Sequence, residues 1–135
     1  MNPRARILLA AAVVLAAAAA CGKDSPTGPT SGVVTLSLVT PNADDGAVTL
    51  VLTGPGIASL DAASSAYAVY WRVVSATEAR GIVVGNLSAG VIATASVGDA
   101  NHVGDYHVEI LEVASRSDDV RASTAGYAVT LAGPH

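Results

Sequence analysis

Hydrophobic and polar residues alternate along most of the chain after residue 32, as they do in strands that bury one face. In residues 34–38, Val and Leu alternate with Thr and Ser, and residues 41–46 then supply the Pro, Asn, Asp and Gly of a turn. The alternation returns repeatedly between Gly- and Pro-containing breaks. The pattern predicts seven short strands, at 33–38, 48–53, 67–74, 82–84, 91–97, 106–113 and 127–131.

Two segments depart from this pattern. Within the sixth strand, the alternation changes phase: apolar residues stand first at positions 108 and 110 and then at positions 111 and 113. This change predicts a β-bulge that shifts the register. The looser segment 57–65 is expected to hold one helical turn. Because no stretch keeps a helical period, the chain is predicted to be all-β, a single seven-stranded antiparallel β-sandwich.

Composition determines what fills the core of this sandwich. Aromatic residues make up 4% of the chain and Phe is absent, so Val, Leu, Ile and Ala must form most of the core. We expect Tyr67 and Trp71, the largest hydrophobic side chains of the third strand, to be buried. Alternation places Tyr70 on the opposite face of that strand.

The first 20 residues follow a different pattern. Arg4 and Arg6 precede an apolar run, residues 7–20, that ends in small residues before Cys21, the only cysteine. The run is short for a membrane-spanning helix and typical of a secretory signal. The stretch 15–22, Leu-Ala-Ala-Ala-Ala-Ala-Cys-Gly, resembles the cleavage site of bacterial prolipoproteins. This resemblance implies that Cys21 becomes the lipid-bearing first residue.

The resemblance departs from the family at Ala18, where prolipoproteins usually have Leu. Ordinary signal cleavage, with Cys21 unmodified, and an uncleaved anchor helix therefore remain as alternatives. Residues 22–32 are rich in Gly, Pro, Ser and Thr and are predicted to form a flexible tether. The chain thus divides into a signal peptide (1–20), a lipidated Cys and tether (21–32) and a β-sandwich domain (33–135). Because Gly22 is not Asp, the resemblance further implies an envelope location at the outer membrane.

Two short motifs resemble those of immunoglobulin-like domains. Tyr70-Trp71-Arg72 resembles the strand that carries the core Trp of that family, and Gly104-Asp105-Tyr106 resembles the start of the strand whose Tyr forms a corner. Both family cysteines are absent. The domain is equally similar in length and texture to bacterial cohesin-type modules. Either resemblance implies a β-sandwich and leaves function open.

One loop carries candidate ligand-binding or metal-binding residues. Asp99, Asn101 and Asp105 lie in the loop 98–105 with oxygen ligands at the two-residue spacing of calcium loops. The loop lacks the bidentate Glu that such a loop requires. Asx turns at strand ends are the alternative interpretation, so no complete metal site is predicted and no cofactor is expected.

The remaining polar residues do not assemble a catalytic set. His102 and His107 lack a third imidazole nearby in sequence, and the adjacent acids Asp44 and Asp45 are expected to be solvated in a turn. The formal net charge is −4 and no Lys/Arg cluster follows Lys23, which argues against nucleic acid as a partner.

Three functional hypotheses follow from these features. The first is a membrane-anchored extracytoplasmic lipoprotein whose β-sandwich is a structural or protein-interaction module, and not an enzyme. The second is a carbohydrate-dependent or calcium-dependent ligand-binding module. An enzyme of unknown type is the third.

Overall fold

The computed structural model describes residues 28–134, which form two four-stranded antiparallel sheets packed as a β-sandwich. The predicted all-β fold class is therefore confirmed. The eight strands are β1 (Gly32–Val39), β2 (Asp45–Thr53), β3 (Ser59–Ala62), β4 (Tyr67–Ser75), β5 (Glu78–Leu87), β6 (Gly90–Val97), β7 (His107–Ser115) and β8 (Ala128–Ala132). Within 28–134, no helix is long and apolar enough to cross a membrane.

The strand order is nested. Sheet A has the order β3-β6-β1-β8 and sheet B the order β4-β5-β2-β7. The first strand therefore pairs with the last, the second with the seventh, the third with the sixth, and β4 with β5 as a hairpin. In immunoglobulin domains the first two strands share a sheet, whereas here β1 and β2 lie in different sheets. The likeness to that family is one of sandwich architecture.

The core lies between the sheets and is aliphatic, as the composition predicts. Most of its fully buried side chains come from the central strands, and Leu60 comes from the edge strand β3. The largest are Leu36, Leu38, Leu50, Leu52, Leu60, Leu87 and Ile92. Tyr106 is the aromatic residue buried within this cluster.

Trp71 is not part of that core, so the prediction that it is buried is wrong. Its side chain lies on the core-facing side of β4, beside Gly81 of β5, yet 36% of its surface is exposed. The reason is its position at an edge. β4 pairs only with β5, and the strand facing it from sheet A, β3, has four residues. Tyr67, by contrast, packs against the core as expected.

The structure contains one strand more than the pattern predicts. β3 lies in the segment 57–65, where a helical turn was expected, and β5 extends from Glu78 to Leu87 where only 82–84 was predicted. The predicted bulge in β7 is confirmed: Ile110 lies opposite Leu50 and Glu112 opposite Thr49, which leaves Leu111 without a partner.

The sandwich has two distinct ends. The described chain begins at what we name the proximal end, where Thr30 accepts a hydrogen bond from the backbone of Ala100. Val39, Asp45 and Ser115 lie at the opposite, distal end.

Candidate functional site

The predicted lipidation site, Cys21, lies outside the described residues. The other predicted site residues belong to the loop 98–105, at the proximal end. Asp99 accepts hydrogen bonds from the backbone N–H groups of Thr30 and Asn101, and its Oδ2 lies 2.6 Å from Nδ1 of His102. Burial raises the pKa of Asp99, but these hydrogen bonds outweigh it and hold the pKa below its ordinary value. The Asp99 carboxylate therefore organises the loop around itself.

Asn101 and Asp105 do not join Asp99 in a cluster of side chains. Both are exposed, and the backbone N–H of Asp105 donates a hydrogen bond to the carbonyl oxygen of His102. Residues 28–134 contain no group of three or more His, Cys, Asp or Glu residues placed to hold a metal ion. The 42–46 turn, the other source of carboxylates, is at the distal end.

Tyr106 also holds the loop 98–105 in place, through its ring and its hydroxyl. Its ring is buried against Gly54, its hydroxyl donates to the carbonyl oxygen of Pro55 at 2.7 Å, and it accepts the N–H of Asp99 at 3.1 Å. The Tyr106 hydroxyl thus links the β2–β3 connection, which contains Pro55, to the β6–β7 connection, which contains Asp99.

The distal end holds a buried carboxylate that the sequence did not reveal. Asp45 was expected to be solvated, but its exposed fraction is 0%. It accepts hydrogen bonds from the hydroxyls of Thr40 and Tyr127 and from the guanidinium of Arg121, which lies 3.0 Å from Oδ1. Asn42 in turn donates to the Tyr127 hydroxyl.

The charge of Asp45 is stabilised by these donors. Burial raises the pKa of its carboxyl group, but the hydrogen bonds from Thr40, Tyr127 and Arg121 outweigh that effect, so the pKa lies below the ordinary value of 3.8. Hydrogen bonds to Asp44 and Asp45 raise the pKa of Arg121. Because each polar group in this network has a partner, the arrangement is a structural clasp between the 40–45 turn and the segment 121–127.

The outward surface of sheet B, which we name the B face, has a different character. Strand registers align its side chains in rows that run across all four strands. One row consists of Arg72, Arg80, Val51 and Glu109, the next of Tyr70, Ile82, Thr49 and Glu112, and the next of Ala68, Val84, Ala47 and Ala114.

A shallow groove of about 480 Å³ crosses the middle of the B face. Tyr70, Ile82 and Leu111 contribute its apolar lining, with Thr49, Arg72 and Arg80 beside them. Tyr70 is 66% exposed and Leu111 is 45% exposed. The expectation that Tyr70 faces away from the core is thereby confirmed.

The outward surface of sheet A, the A face, differs in that none of its strands, β1, β3, β6 and β8, contains an aromatic residue. Its central rows carry Thr35 beside Thr94 and Ser37 beside Thr130. The A face is therefore made mainly of Thr, Ser and the exposed Val33, Val39 and Val91, whereas the B face adds an exposed aromatic ring to its aliphatic side chains.

The two edge strands of the B face carry charges of opposite sign. Arg72 and Arg80 lie opposite each other on β4 and β5, whereas Glu109 and Glu112 lie on β7 at the other edge. Arg80 pairs with Glu78 on its own strand, at 2.9 Å. Arg72, Glu109 and Glu112 form no salt bridge with any residue from 28 to 134. His107 is exposed on this face too, opposite Thr53.

Comparison with protein-family models, with curated proteins and with solved structures finds no match to this chain.

Proposed function

We propose that this chain is an exported, lipid-anchored envelope protein whose β-sandwich is a protein-interaction module that binds its partner through the B face. The exposed apolar groove around Tyr70 is the observation that supports this proposal. Apolar patches bordered by polar residues mark interaction surfaces in soluble domains, and Tyr is enriched in such surfaces.

The location of the B face suits this role. It is the surface of a hydrogen-bonded sheet, so its side chains are held in fixed rows and little conformational freedom is lost on binding. The clasp at Asp45 and the hydroxyl of Tyr106 fix the connections at the two ends. The domain therefore offers a rigid surface and needs no moving part to bind.

Anchoring is tested separately from binding. A Cys21→Ser variant of the full chain is expected to lose incorporation of labelled palmitate and to leave the membrane fraction. A Ser25→Ala variant is the matched control and should remain lipidated. If the Cys21→Ser protein stays membrane-bound without label, an uncleaved anchor helix explains the attachment and the lipoprotein proposal is wrong.

Binding through the B face is tested by photo-crosslinking in cells. A photoreactive amino acid introduced at position 70 of the full chain should yield a protein adduct upon irradiation. The same group at position 130, on the A face, should yield none. Absence of a protein adduct at position 70 would overturn the proposal.

A carbohydrate-binding module is the second candidate, and the exposure of the Tyr70 ring is the observation that favours it. An aromatic face beside two arginines, Arg72 and Arg80, is suited to stacking on a sugar ring and bonding to its hydroxyls. Co-sedimentation with insoluble cell-wall polysaccharide, abolished by Tyr70→Ala, would favour this candidate over a protein partner.

A further inference from the structure

The B face is complementary to itself. Building on the proposed function, we propose that the partner it binds is a second copy of this chain, arranged face to face about a two-fold axis.

The argument begins with charges that the fold leaves unpaired. Arg72 on β4 and Glu109 on β7 belong to one row, separated by Arg80 and Val51. Adjacent strands lie about 4.8 Å apart, so three spacings put the two backbones about 14 Å apart. That distance is too great for an ion pair within one copy. Two opposite charges therefore lie at the two ends of one row, each without a salt-bridge partner among residues 28–134.

A second copy supplies both partners at once. We place a two-fold axis in the interface, parallel to the strands and centred between β5 and β2. Rotation about it lays β4 of one copy over β7 of the other. Each row of one copy then faces the same row of the second copy. Arg72 of each copy then meets Glu109 of its partner, so two ion pairs form. Such an interface is isologous, with the same patch used on both sides.

The apolar side chains obey the same symmetry. In the next row, Tyr70 of one copy lies over β7 of the other, where Leu111 bulges outward beside Glu112. Ile82 lies over Thr49, at the centre of the groove. The exposed ring of Tyr70 and the exposed Leu111 are thus covered together. An unrelated partner would need its own charges placed to match Arg72 and Glu109.

The size of the face indicates a weak dimer. The four strands and the three rows named above give a footprint of roughly 14 by 14 Å between outermost backbones, from strand spacings of about 4.8 Å and a rise of about 3.4 Å per residue. That is well below the roughly 800 Å² per partner of a standard stable interface. We therefore expect a transient dimer in dilute solution. Lipid anchoring would concentrate the chains in one plane and raise the dimeric fraction.

Charge reversal tests the symmetry directly. Full-length chains carrying two different C-terminal affinity tags are co-expressed, and the amount of one tag that co-purifies with the other is measured. The wild type should pair with itself. R72E alone and E109R alone should each pair with themselves at least about tenfold less, because both ion pairs become repulsive. When R72E and E109R are co-expressed, every pair is again opposite in sign and co-purification should return to wild type.

The control is D119R, which changes charge as E109R does but lies at the distal end, and which should pair normally. Circular dichroism and thermal unfolding of each variant confirm that its domain is folded. Failure of the mixed R72E and E109R chains to recover pairing overturns the two-fold arrangement. A wild type that does not self-associate, while position 70 crosslinks to a different protein, overturns the dimer and leaves the interaction module standing. Absence of both signals overturns the dimer and the module together.

Discussion

Tyr127 donates its hydroxyl hydrogen to Asp45 over 2.9 Å, although 82 residues separate the two in the chain. Asp45 is the first residue of β2, and Tyr127 directly precedes β8. The bond therefore joins the start of a central strand in sheet B to the start of an edge strand in sheet A. The Asp45 clasp holds the distal end of the sandwich closed across the two sheets.

Replacing the buried acid should be costly. We expect Asp45→Asn to lower the free energy of unfolding by about 3–5 kcal/mol, because it leaves the Arg121 charge without its buried partner and turns one of the two acceptor oxygens into a donor group. That loss is a large share of the about 5–15 kcal/mol typical of a whole domain. Urea unfolding measures it. Asp44→Asn is the matched control: its carboxylate is exposed, so the change should be much smaller. Equal losses in the two variants would refute the assignment of Asp45 as the buried centre.

The same carboxylate predicts an acid-sensitive stability. Its pKa is lowered in the folded state, so the unfolded chain binds a proton at a higher pH than the folded chain does. The stabilisation is fully present above the ordinary value of 3.8 and is lost as the pH falls from there through the folded pKa. Thermal unfolding scans should show the melting temperature of the wild type dropping over that range, with a shallower drop in Asp45→Asn. Parallel curves would mean that another group controls the acid transition.

Tyr106 offers a test at the proximal end. Tyr106→Phe keeps the buried ring against Gly54 and removes the hydroxyl that binds Pro55 and Asp99. We expect a loss of about 1–3 kcal/mol, the cost of leaving two partly buried groups, the Pro55 carbonyl and the Asp99 N–H, without this partner. Amide exchange should also quicken in the loop 98–105. Tyr70→Phe, which alters an exposed hydroxyl, should leave both measurements unchanged.

Stability and recognition should separate at the B face. Tyr70→Ala is expected to change the free energy of unfolding by no more than about 0.5–1 kcal/mol, since most of the ring is in solvent. Leu50→Ala, in the middle of the core, should cost about 2–5 kcal/mol. The Tyr70→Ala protein should nevertheless lose self-association. A Tyr70→Ala protein that unfolds as readily as Leu50→Ala would show the ring to be structural.

Local pattern was sufficient for the fold class and for some fine detail. The alternation in 34–38 placed the core side chains of β1, and the break between Ile110 and Leu111 located the bulge of β7. These features depend on which side of a strand each residue occupies. Because side chains alternate between the two sides, the sequence pattern predicts that side directly.

Features that depend on strand order were not accessible in this way. β3 has one deeply buried apolar residue, Leu60, and the core-facing position of β5 that Leu60 covers is a glycine, Gly81. Neither strand segment therefore shows alternation. Trp71 was assigned to the core because its neighbours alternate, but its exposure follows from β4 being an edge. Asp45 reads as a turn residue until Arg121, 76 positions away, is brought beside it.

The nested strand order has a consequence for how the chain folds as it emerges from a ribosome or a translocation pore. The hairpin of β4 and β5 has all its residues within a short stretch and can form as soon as that stretch is free. Sheet A cannot be completed until β8 appears, since β8 supplies an outer partner of β1. The earliest residues of the domain must wait for the latest ones. We therefore expect folding on the millisecond-to-second scale typical of sandwiches rich in non-local pairing, with an exposed β1 edge in the interval that a holding chaperone would protect.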